Sequence, residues 1–99
     1  MLTIVIDIKP ERISTHLHTA MGYISFDSSY TTGGQDITTI FDQFSNCKYI
    51  DLASKLGYSF EAVLATKKVK VYTAANVEVL NAVNLTALSE VRFIAVGLV

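Results

Sequence analysis

The chain has 99 residues, 51% of them apolar and 17% charged, with eight basic and nine acidic side chains and a formal charge of −1. That length fits one domain that buries roughly 60–70% of its unfolded surface and needs no metal or disulfide to fold. Singly scattered charges exclude the basic stripe of a nucleic-acid binder, lone Cys47 excludes an intrachain disulfide, and no run reaches the ~18 apolar residues of a membrane helix.

Leu2 to Ile8 is a strand: Leu2, Ile4, Ile6 and Ile8 fall on one face, and Thr3, Val5 and Asp7 on the other. The opening Met1-Leu2-Thr3-Ile4-Val5-Ile6 is too short for a signal peptide and has no basic lead, so synthesis in the cytoplasm is expected. Pro10 has no N–H for a ladder, and the run Lys9 to Arg12 is expected to end the strand. A second strand runs from Ile13 to Phe26. Both of its faces are apolar near Met21 to Ile24, the mark of a strand covered on two sides.

Asp27 to Gln35 breaks the alternation with Asp, Ser, Thr and a Gly33-Gly34 pair, all turn formers. Asp36 then reads as a helix N-cap, followed by Ile37, Ile40, Phe41 and Phe44 as one stripe of a two-turn helix that Ser45-Asn46 closes. Strands are expected at Cys47 to Leu52, Tyr58 to Ala65, Lys68 to Thr73, Val77 to Val83 and Val91 to Val99, with a tight hairpin at Ala65 to Lys68. Leu85 to Leu88 is a helical turn or an anchored loop. The last strand is apolar on both faces and therefore central or covered. Seven strands and one short helix predict an all-β domain, an antiparallel sandwich or small barrel.

Chemistry-bearing residues do not assemble into a recognisable catalytic motif. His16 and His18 leave one strand face together, but a metal site needs three or four ligands and only Glu11 is at hand as a third. Asp36, Asp42, Glu61 and Glu90 have no spacing that pairs them as acid and base. Gly33-Gly34 lacks the lysine of a phosphate loop. Cys47, in apolar surroundings, reads as a buried small hydrophobe. Lys67, Lys68 and Lys70 read as solvated hairpin residues. Neither a catalytic residue, a cofactor nor a bound metal is expected. Tyr30, flanked by serines and threonines, either folds back over the core or anchors a contact with another subunit. A surface so short of charge suits a permanent interface, or else a monomer covered by Thr, Ser and Asn.

The run Phe26 to Gly34, F-D-S-S-Y-T-T-G-G, goes with Gly57-Tyr58-Ser59-Phe60, Lys68-Val69-Lys70-Val71-Tyr72 and the ending Ala95-Val96-Gly97-Leu98. Together these resemble a family of tailed-bacteriophage structural proteins of about this size, which share D-S-S-Y-x-T-G-G, G-Y-x-F, K-x-K-V-Y and A-x-G-L. The resemblance spans about residues 13–99. Family members typically carry proline and glutamate where this chain has Thr31 or Thr32 and Gln35, and the first strand differs. The resemblance implies a capsid cement or decoration protein on the outer shell of the virion. Its partner would be the major capsid protein, and it would be a homo-oligomer, dimer or trimer, at a symmetry axis. The contact residues expected on this reading are Ser28, Ser29, Tyr30, Thr31, Thr32, Gly33 and Gly34, with the terminal strands offering edges to a partner sheet. The alternatives are a tail, fibre-base or head–neck component, and a ligand- or carbohydrate-binding sandwich that gathers Tyr23, Tyr49, Tyr58 and Tyr72 on one concave face.

Overall fold

A computed structural model describes residues 2–13 and 17–98. Among them are seven strands and one helix: β1 (Thr3–Arg12), β2 (His18–Ser25), β3 (Gln35–Asp36), α1 (Thr38–Phe41), β4 (Asn46–Leu52), β5 (Ser59–Val63), β6 (Lys68–Tyr72) and β7 (Val91–Leu98). They form a four-stranded sheet in the order β1-β2-β7-β4 and a three-stranded sheet in the order β3-β6-β5. Every pairing is antiparallel. The expected all-β, sandwich-like architecture is what the chain adopts.

The core lies between the two sheets and follows from period-two alternation. Ala20 and Ile24 of β2 pair with Ala95 and Val91 of β7, while Ile50 and Leu52 of β4 pair with Ala95 and Phe93. All of these are buried, as are Val69 and Val71 on the facing strand β6. Phe26 stacks on Phe60 across the sandwich with ring centroids 5.5 Å apart. One end is plugged by Ile37, Ile40, Phe41 and Phe44, the expected apolar stripe, all buried. The helix is one turn long and carries only Ile40 and Phe41 of the stripe; its N-cap residue is Ile37 without a side-chain cap, and Phe44 lies beyond its end. Asp36 acts one position earlier than expected: from β3, its Oδ1 accepts the Thr38 amide at 2.8 Å and the Thr38 hydroxyl. These two bonds hold its carboxyl below the usual range.

Several sequence expectations are corrected. The strand count is as expected, but its membership is not. Val77 to Val83 is irregular, with a single bridge from Glu78 to Tyr72, because Asn76 and Ala82 take left-handed backbone angles, φ 62° and 67°. The seventh strand is the two-residue β3. Pro10 does not end β1, which continues to Arg12 as an irregular edge strand where a missing N–H costs nothing. β2 starts at His18 rather than Ile13, which is exposed and donates its amide to Leu17 O in the connection. Ser14, Thr15 and His16, considered with His18 as a metal ligand, lie outside the described residues, as does Val99. β7 is central, as its two apolar faces imply, so the last strand has no free edge to offer. The hairpin between β5 and β6 spans Leu64 to Lys67, and Lys67, at φ 57°, fills the place of the missing glycine.

Candidate interaction surfaces

The loop after β2 is a tongue fixed to residues 78–83. Asp27 Oδ1 accepts the Ser29 amide at 3.0 Å, the side chain–backbone turn that Asp favours. Gln35 Nε2 reaches back to Ser29 O at 3.1 Å. Tyr30 donates its amide to Val83 O at 3.0 Å and accepts Ala82 N at 2.7 Å. Thr32 N donates to Asn81 Oδ1 at 3.2 Å, and Gly33 N to Glu78 Oε2 at 2.8 Å. Gly34, at φ +116°, passes so close to β6 that an added Cβ would stand 2.9 Å from Val69 O.

Tyr30 takes the first of its two possible fates. Only 1% of it is exposed. Its hydroxyl donates to Glu78 Oε2 at 2.7 Å and accepts the Val71 amide at 3.2 Å. Burial, then the bond to Glu78, pushes its ionisation well above the phenol range. The same hydroxyl, then the Gly33 amide, holds the Glu78 carboxyl below its usual value. Tyr30 is therefore core and not a contact, and Gly34 is buried beside it. Ser28, Ser29, Thr31 and Thr32 are exposed, and Gly33 is half-buried. Next to this tongue, Leu80 is 74% exposed and directly precedes the Asn81 that holds Thr32. Sequence reasoning missed both Glu78 and Leu80, since each fell inside an expected strand.

A second surface is the outer face of the four-stranded sheet. Register puts Ile8, Met21 and Ile94 side by side across β1, β2 and β7, and Tyr49 of β4 beside Val96 one row along. Ile8, Met21, Ile94 and Tyr49 are 39, 36, 44 and 54% exposed. Two register shifts build this strip. The first, between Ile6 and Ile8, turns Ile8 away from the inward face that Leu2, Ile4 and Ile6 occupy. The second, between Cys47 and Tyr49, does the same for Tyr49. Arg92 closes one side, over the Tyr23 ring at 5.2 Å and ion-paired with Asp7. The expected two-sided burial at Met21 to Ile24 is thus met by this chain on the inner face alone.

The remaining candidates stay apart. Asp36 caps Thr38, Glu61 accepts the Tyr72 hydroxyl at 2.9 Å, and Glu90 donates its amide to Ser25 Oγ. No group of three His, Cys, Asp or Glu side chains fit to hold a metal occurs among the described residues. His18 is half-buried, with its Nδ1 unpartnered among those residues. Cys47 is half-buried, and burial raises its thiol above the usual range. It lines a depression of about 490 Å³ with Phe41, Phe44, Leu64 and Lys67. Tyr23 and Tyr49 lie on the outer face of one sheet, Tyr72 on that of the other, and Tyr58 packs on the core, so the four tyrosines share no concave face. No helix among the described residues is long and apolar enough to cross a membrane. No family model, curated protein or solved structure matches the chain.

Proposed function

We propose that the protein is a virion structural protein, a cement or decoration protein that binds major capsid subunits on the outer shell of a tailed phage and stabilises the mature head. The observation that carries the reading is the pair of exposed surfaces on one small domain: the tongue end with Leu80, and the apolar sheet face crossed by Ile8, Met21 and Ile94. A fastener must grip in two places. The resemblance of Phe26 to Gly34 and of the A-x-G-L ending to phage structural proteins supplies the identity of the surface gripped.

The buried and turn-forming members of the resembling segments are scaffold. Asp27 shapes the turn, Tyr30 fills the core, Gly34 lets the tongue pass β6, and Phe60 stacks on Phe26. Contact falls to the side chains this scaffold exposes, Ser28, Ser29, Thr31, Thr32 and Leu80. Mechanism is then a matter of mass action: many copies bind the expanded lattice and not its precursor, so each weak contact adds to the stability of the shell.

The test is to mix the purified chain with undecorated heads and sediment them. Pelleting in a fixed ratio to capsid subunits supports the reading; a chain that stays in the supernatant at every concentration overturns it.

A further inference from the structure

We infer that the outer face of the four-stranded sheet is covered by the same face of a second copy of this chain, packed sheet against sheet. The inference goes beyond the fastener reading by naming what one of its two surfaces holds, and it stands on this surface alone.

The chain carries its own contrast. The outer face of the three-stranded sheet is built for water: Glu61 lies opposite Lys70, and the Tyr72 hydroxyl bonds to Glu61. The other outer face has an unbroken apolar row from Ile8 through Met21 to Ile94. Its charged members leave the centre free of unpaired charge: Arg92 and Asp7 neutralise each other, and Asp51, next to Ile94, and Glu11, next to Thr19, stand on the two edge strands β4 and β1. The centre of an occupant must therefore offer an apolar, twisted face. This face meets that description itself, since sheets stacked in a sandwich need matching twist and align at about −30°.

Size agrees as well. Four strands about 4.8 Å apart and eight residues long, at about 3.3 Å each, project about 500 Å² per copy. Two such faces remove on the order of 1,000 Å² or more on stacking, the threshold for a specific interface. A two-fold contact of this kind is self-complementary and closes after two copies. The two register shifts also gain a purpose, because each swings a bulky side chain, Ile8 or Tyr49, from an edge strand into the shared layer.

The experiment is sedimentation equilibrium of the purified full chain with no capsid present. A mass near twice 10.9 kDa is expected, and Ile94→Glu and Met21→Lys should each weaken self-association at least about tenfold. Circular dichroism and melting of the isolated variants check folding, with the milder Ile94→Ser as a second variant if Ile94→Glu fails to fold. Lys70→Glu, on the opposite face, should leave the dimer intact. A monomer at every concentration, a mass of three or more copies, or a dimer indifferent to Ile94 and Met21 overturns the inference. A monomer whose binding to heads is lost in Ile94→Glu also overturns it, with capsid as the occupant and the head reading standing. A dimer that ignores heads leaves this inference standing and removes the other.

Discussion

The Tyr30 hydroxyl donates to Glu78 Oε2 at 2.7 Å across 48 residues of sequence, and the same carboxylate oxygen takes the Gly33 amide at 2.8 Å. One oxygen thereby fixes both the ring that fills the core and the tongue that leaves it. Position of the exposed Ser28 to Thr32 side chains depends on this joint.

Tyr30→Phe should keep the packing but strand the Val71 amide without its acceptor, at a cost of about 1–3 kcal/mol. Tyr30→Ala should cost about 3–5 kcal/mol by opening a cavity. At about 4–8 °C per kcal/mol for a domain of this size, thermal melting resolves the two. A surface contact role would leave both variants melting like the wild type.

The joint also sets a pH dependence at both ends. Glu78 ionises more easily in the fold than its ordinary 4.5, so its contribution is complete above that pH and is lost as pH falls through the lower folded value. Tyr30 is held neutral above its ordinary 10.0, so its contribution is complete below pH 10 and is lost as pH rises beyond it. Urea midpoints should fall on both sides of a neutral plateau. Glu78→Gln should make the acid limb below pH 4.5 shallower, and an unchanged limb would remove Glu78 from the account.

Much of the sandwich was legible in the chain. Alternation located the strands of both sheets except β3, whose two residues are too few to show a period. It also marked β7 as central. The Ile37, Ile40, Phe41 and Phe44 stripe was legible because burial, not helix length, is what it encodes. Val77 to Val83 misled because left-handed backbone at Asn76 and Ala82 carries no glycine to announce it. The outer apolar strip was illegible for a related reason. A register shift of one residue reverses the face of everything beyond it, and nothing in the residues around Asp7 or Lys48 advertises that shift. Tyr30 stood undecided because its partner lies 48 residues away.

Gly22 pairs with Ile6 of β1, and an added Cβ would stand 1.9 Å from the Val5 carbonyl oxygen. Backbone cannot yield there without breaking the pairing that sets Ile8 and Met21 side by side. Gly22→Ala should therefore destabilise by more than about 3 kcal/mol. Gly33→Ala, at φ +96° but with open space around it, should cost only about 1–2 kcal/mol of backbone strain. Chemical denaturation separates the two, and equal costs would contradict the close approach.

Leu80 makes the opposite prediction. Its exposure means that Leu80→Glu should move stability by no more than about 0.5 kcal/mol while weakening head attachment about tenfold or more. Attachment that survives Leu80→Glu unchanged would take the tongue end off the contact surface.

The most direct measurement is the melting transition of undecorated heads, recorded by calorimetry with increasing amounts of the purified chain. A fastener that binds only the mature lattice should raise the transition until every capsid site is filled and then have no further effect. A transition that stays put at saturating protein would contradict the account.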